Sequence, residues 1–170
     1  MGKIKDFLNS VVGGVKEKMY GFGSSLITGL EVPNANTKEY LESYRSSAVV
    51  YSCVKKIGEK MSNIEFELFR LRGLTAKEVE QHELLDVLAK PNEMMTGSQL
   101  MEITSVYISL LGDCYWYKVK NDRGRVLELW LMRPDLTQVV PGPDGKPQQY
   151  KFRIGGKEYF YPAEDIIHFS

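Results

Sequence analysis

Between Tyr40 and Ser170 the apolar residues of this chain change their period, and the changes come in a fixed order. Val50, Cys53, Val54, Ile57, Met61 and Ile64 recur at i, i+3, i+4 and i+7, the spacing of one stripe on an α-helix. Ile64, Phe66 and Leu68 then alternate with Glu65, Glu67 and Phe69, which predicts a strand with one buried face. Gly73 to Gln81 is polar and reads as a loop or a short exposed turn. In the block HELLDVLAKPN, Leu84, Leu85 and Leu88 fit a brief helix that ends before Pro91. The helical period returns at Leu100, Ile103, Tyr107, Leu110 and Leu111, and period two takes over after Gly112. This succession predicts an α+β fold, with two to three amphipathic helices packed on antiparallel sheet or hairpins.

The punctuation agrees with the periods. Ser46 and Ser47 can cap the first helix by accepting free amide hydrogens, and Ser62-Asn63 stop it. Thr96 with Gln99 three positions on makes a capping box, and Gly112 is placed for the left-handed residue that ends a helix. Tyr115, Tyr117 and Val119 alternate with Cys114, Trp116 and Lys118. Asn121 to Gly124 turn the chain, and Leu127, Leu129 and Leu131 bring it back against Glu128 and Trp130. A third strand near Thr137 to Val140 follows the bend at Arg133-Pro134-Asp135. Tyr150, Phe152 and Ile154 lead through Gly155-Gly156 to Tyr159 and Tyr161, another hairpin, and Ile166 to Phe169 form a last strand. That strand stops at Ser170 without a turn, cap or polar tail, so the folded unit, 37–170, is expected to be incomplete at its C-terminus.

Composition narrows the function classes. Lys plus Arg equals Asp plus Glu, 22 against 22, so the chain lacks the basic excess of a protein built to lie on phosphate backbones. A charge near zero gives little self-repulsion and suits a subunit that associates with its own copies. No stretch approaches the ~20 consecutive apolar residues of a membrane-spanning helix. Residues 1–36 read as a flexible arm and linker that orders against a neighbour; a lipid-surface helix is the other reading. Gly2 raises N-myristoylation, but Asp6 stands where that motif wants Ser or Thr. Cys53 and Cys114 lie in apolar periodic segments and read as reduced core residues, against a disulfide or a metal site as alternatives.

The search for chemistry finds no catalytic, cofactor-binding or metal-binding constellation. Gly155-Gly156 lacks the Lys-Ser/Thr of a phosphate loop, and HExxH, CxxC and a glycine-flanked serine elbow are missing from the sequence. His82 reads as a capping or surface residue, with catalysis as the alternative. Asp165 and His168 are the closest approach to a dyad, yet residues three apart on a strand point to opposite faces. Lys55, Lys56 and Lys60 form either a solvated helix face or a DNA contact. The aromatic hairpin 114–131 is either a sheet face packed in the ordinary way or a stacking platform for bases or sugars.

A set of local motifs carries a resemblance to the amino-terminal part of tailed-bacteriophage portal proteins. Tyr51-Ser52-Cys53-Val54 resembles the family's Tyr-x-Cys-Val helix start. His82-Glu83-Leu84-Leu85 with Pro91-Asn92 resembles its His-x-Leu-Leu…Pro-Asn block. Gly112-Asp113-Cys114-Tyr115, the segment Leu127 through Leu131 to Pro134, and Ile167-His168-Phe169 are similar to three further motifs in the same order. The resemblance implies a wing-like domain of a ring subunit at one capsid vertex, twelve copies to the ring in the full-length form. It implies a structural, non-enzymatic role in DNA packaging, DNA ejection and virion assembly. The implied partners are the terminase motor, capsid, and neck or tail proteins, with double-stranded DNA passing through without sequence specificity. The stem and clip that line the channel in that family lie beyond the matching part. The rival class is a small nucleic-acid- or carbohydrate-binding module built on hairpin 114–131; a hydrolase using His168 and Asp165 is a third.

Overall fold

The computed structural model describes residues 46–170; the arm and linker expected over 1–36 lie outside them. In chain order the elements are α1 (Ala48–Met61), β1 (Phe69–Arg72), β2 (Thr75–Glu78), α2 (Glu83–Ala89), α3 (Gly97–Leu111), β3 (Cys114–Lys120) and β4 (Val126–Met132). A 3-10 turn at Pro134–Leu136 leads to β5 (Thr137–Pro141), β6 (Pro147–Ile154) and β7 (Lys157–Pro162), and a second at Ala163–Asp165 leads to β8 (Ile166–Phe169). The strands pair antiparallel throughout, in the orders β1-β2, β4-β3-β8 and β5-β6-β7. The chain is α+β, as expected.

Side-chain alternation along β3 decides the layering. Cys114 and Trp116 point to one side, where they meet Leu100, Ile103 and Tyr107 of α3, with Leu129 from β4. Tyr115, one residue away, points to the other side with Met132 and Ile166, against Tyr150, Phe152 and Tyr161 of the second sheet. The sheet β4-β3-β8 is therefore the middle layer, between α3 and the sheet β5-β6-β7. Both faces of β3 are covered, so its aromatics are core residues. Leu100 is 1% exposed, and truncating a leucine so enclosed removes about 2–5 kcal/mol.

α3 has the ends the sequence prescribes. The Thr96 hydroxyl accepts from Gln99 N at 3.3 Å while the Gln99 side chain accepts from Thr96 N at 2.9 Å. Gly112 closes the helix at φ 81°, a left-handed conformation that a Cβ would strain. Ser47 caps α1 through Val50 N at 3.4 Å, and Ser62 ends it.

Three expectations are corrected. On α1 only Val54 of the predicted stripe is fully buried; Val50 and Met61 are half-buried, and Cys53 and Ile57 are exposed, Ile57 at 47%. The helix faces α3 through Val50, Tyr51, Val54 and Gly58, against Val106, Leu110 and Leu111. Gly58 is buried so closely that an added Cβ would lie 3.2 Å from Glu102 Cγ. Counting apolar residues gave no weight to this glycine and rotated the stripe. Cys53 is accordingly not a core residue. Second, Ile64 to Leu68 form no strand, and Ile64 and Phe66 are exposed. The alternation there has no opposing layer to bury against. Third, the polar stretch assigned as loop contains β2, which pairs with β1 around the turn at Gly73-Leu74.

Candidate functional site

Apart from Tyr51, Cys53 and Val54 on α1, the motif residues lie around two corners of the middle sheet. At the first, β8 lies against β3 with His168 directly opposite Tyr115. The imidazole stacks on the Tyr115 ring at 4.4 Å between centroids and 27° between planes. Its Nε2 lies 2.8 Å from Asp113 Oδ1, and its Nδ1 lies 3.4 Å from the Tyr150 hydroxyl. A carboxylate only accepts, so Nε2–H donates to Asp113 and, in the neutral ring, Nδ1 accepts from Tyr150 O–H. Four elements meet here: the α3–β3 corner through Asp113, β3 through Tyr115, β6 through Tyr150 and β8 through His168.

Burial acts on the Cys114 thiol and the Tyr115 phenol. The Cys114 thiol is pushed up to about 12, mainly by desolvation. Burial likewise raises Tyr115, with the nearby Asp113 charge acting in the same direction. Both groups stay protonated at neutral pH. They offer neither a thiolate nucleophile nor a phenolate base.

At the second corner Pro91-Asn92 clamps the outer edge of β4. Leu129 N donates to Pro91 O at 2.8 Å, and Asn92 Nδ2 donates to Leu129 O at 2.8 Å. Asn92 Oδ1 accepts from Met94 N at 2.9 Å. Both backbone groups of Leu129 on that side are thus satisfied without a further strand, and Pro91 and Asn92 are buried to make it possible. His82 caps α2, its Nδ1 accepting from Leu84 N at 3.1 Å. Leu84 is exposed and Leu85 half-buried.

Between the corners run two buried polar links that sequence reasoning did not identify. Trp116 Nε1 donates to Thr104 Oγ1 at 2.8 Å, and that hydroxyl donates to Leu100 O at 2.6 Å. Arg133 holds the fully enclosed carboxylate of Asp135 with two bonds, 3.1 Å from Nε and 2.6 Å from Nη2. Pro134 opens the 3-10 turn between those two residues, and Leu131 is half-buried beneath α3. The signal for the ion pair was the Arg-x-Asp spacing; Thr104 gave none, since a threonine on a helix is unremarkable without its partner.

The structure does not bring Asp165 to His168. Asp165 Oδ1 pairs with Lys120 Nζ at 2.6 Å, and this hydrogen bond raises the pKa of the lysine against the lowering effect of burial. Tyr51 packs in the α1–α3 contact with Val54, and Lys55 Nζ lies 5.9 Å from its ring centroid. The aromatics of hairpin 114–131 are inside: Tyr115, Trp116 and Trp130 are buried and Tyr117 half-buried, which leaves no open ring face to stack on a base or sugar. Among the described residues no cluster of His, Cys, Asp or Glu is spaced to hold a metal ion, and no helix is long and apolar enough to cross a membrane.

Comparison with known proteins places these features. Among solved structures the chain is similar to a subunit of the "Neck of empty GTA particle computed with C6 symmetry", at TM-score 0.68 and 24% identity, covering 84% of this chain and 39% of that one. It is similar to one from the "Neck of native GTA particle computed with C12 symmetry", at TM-score 0.67 and 24% identity, covering 95% and 41%. A third, from the "Virion of native gene transfer agent (GTA) particle", has TM-score 0.66 and 23% identity, with 92% and 40% covered. At these identities the likeness is one of fold, and the chain spans about two fifths of the length of those subunits. A search of curated proteins finds no match. The family described as phage portal protein matches residues 48–170, from the first turn of α1 to the end of β8. The chain belongs to the phage portal protein family.

Proposed function

We propose that this chain is the wing-like part, residues 37–170, of a structural subunit of the portal ring at the capsid vertex. It acts there in DNA packaging, DNA ejection and virion assembly. The observation that carries the reading is the family match across every described helix and sheet, 48–170. The likeness in fold to neck subunits of particles solved with C6 and C12 symmetry supports a closed ring, a heterologous head-to-tail arrangement of like copies. In this reading the terminase motor docks during packaging, and capsid and neck or tail proteins bind afterwards. Double-stranded DNA passes through the ring without sequence readout; the zero formal charge suits a subunit that does not grip phosphates.

The role is structural. Every titratable group at the His168 corner is tied to the fold: Asp113 and Tyr150 by the imidazole, Tyr115 by stacking, Cys114 by burial. The test is localisation. Particles from cells that express a gold-taggable version should carry label at a single vertex, next to the tail. Label spread over the capsid, or a tagged protein recovered only free of particles, would overturn the reading.

A further inference from the structure

We propose that the hairpin β1–β2 is a docking element that seats on α2 of a second copy of this chain. The inference rests on the ring reading above. Every residue of the hairpin is exposed, and its register divides it into two chemically opposed faces. Arg70 stands opposite Lys77 and Arg72 opposite Thr75, so one face carries three cations. Phe69, Leu71 and Ala76 lie on the other, with Glu78 opposite Phe69; Leu71 is 73% exposed, and Leu74 projects fully from the turn. Like charges directly opposed across a ladder repel, and none of the three cations has an ion pair among the described residues. A lone two-stranded hairpin is marginal in water unless something packs on it. Both facts call for an acidic, partly apolar surface against it.

The chain carries such a surface on α2. On α2 stand Glu83 and Asp86, flanked by Glu80 and Glu93, against one lysine, Lys90; Glu83 pairs with Arg125 at 2.8 Å, and Glu80, Asp86 and Glu93 have no ion pair among the described residues. Leu84 is 48% exposed in their midst, and α2 buries no residue completely. Only Val79 to His82 separate β2 from α2, and within one copy the hairpin and Leu84 both stay exposed. Basic-and-apolar on one element and acidic-and-apolar on another is the complementarity that a head-to-tail contact between identical copies requires.

Charge swapping tests this on the chain itself by sedimentation velocity, up to about 1 mM, the range of contacts below standard interface size. The wild type should self-associate reversibly. Arg70→Glu with Arg72→Glu, and separately Glu80→Lys with Asp86→Lys, should each weaken association at least ~10-fold while melting like the wild type; all four sites are exposed. Mixing the two variants, or combining all four changes in one chain, should restore it. Association that survives the hairpin reversal, a failure of the mixture to recover, or a wild type that stays monomeric at the highest concentration each overturns the inference. The ring reading is judged separately, by where the protein sits in particles, and outlives any of these results.

Discussion

His168 stacks on Tyr115 from the opposite strand, 4.4 Å between ring centroids, while its two nitrogens reach Asp113 on one side and Tyr150 on the other. One side chain of the last strand thus ties the helix–strand corner and both sheets together. Replacing it by alanine removes a stack worth ~0.5–1.5 kcal/mol and hydrogen bonds worth ~1 kcal/mol each. The expected loss is about 2.5–3.5 kcal/mol in urea unfolding, with His168→Phe falling between alanine and wild type because it keeps the stack. Equal loss in the two variants would show that the ring face contributes nothing.

Asn92 is needed as an amide, because it donates to Leu129 O and accepts from Met94 N within a buried clamp. Asn92→Ala leaves both backbone groups without their partner and should destabilise by ~1–3 kcal/mol. Asn92→Asp should be worse, since a buried carboxylate would face a carbonyl oxygen. Urea midpoints of the two variants check the order, and an aspartate that matches wild type would refute the clamp.

The two cysteines should behave oppositely. Cys53 is exposed and Cys114 fully enclosed, so a thiol reagent at neutral pH should titrate one group rapidly and the second only on unfolding. The Cys114 pKa is raised from 9.0 to about 12 in the fold by burial. Between those values the unfolded chain releases the proton and the folded chain keeps it, so stability is constant below 9.0 and falls as pH rises towards 12. Tyr107, Tyr115 and Tyr161, raised by burial from 10.0, act in the same direction. Unfolding free energies at about pH 8 and about pH 10.5 should show the decline, and Cys114→Ala should make it shallower.

The corrected face of α1 separates two substitutions one turn apart. Val54→Asp places a carboxylate in the contact with Leu110 and should cost several kcal/mol, on the order of 3–5. Ile57→Asp lies on the open side and should change stability by less than about 1 kcal/mol. Thermal melts of the two proteins decide between this face and the stripe counted from apolar residues.

How legible the chain is depends on whether a residue's role is local. The α3 capping box, its Gly112 terminus and the hairpins from Cys114 to Tyr161 rest on contacts within a few positions, and turn chemistry and period two expose them. The α1 face depends on what lies across from it, and the deciding residue, Gly58, is invisible to hydropathy. The strand expected at Ile64 to Leu68 had the right alternation but no layer to bury it. At the candidate site, His168, Tyr115, Asn92 and Gly112 stood out through family motifs. Their partners Tyr150 and Leu129 are 18 and 37 residues from His168 and Asn92, beyond the reach of spacing arguments.

The central claim is that this chain is part of a portal ring, and symmetry tests it most directly. The protein expressed from its complete gene and purified without particles should be imaged by electron microscopy and weighed by native mass spectrometry. Closed rings with a central channel are expected, with class averages of twelve-fold symmetry like the C12 neck and a mass that is a single multiple of the subunit. A protein that stays monomeric, or forms only open, irregular chains at the same concentration, would contradict it.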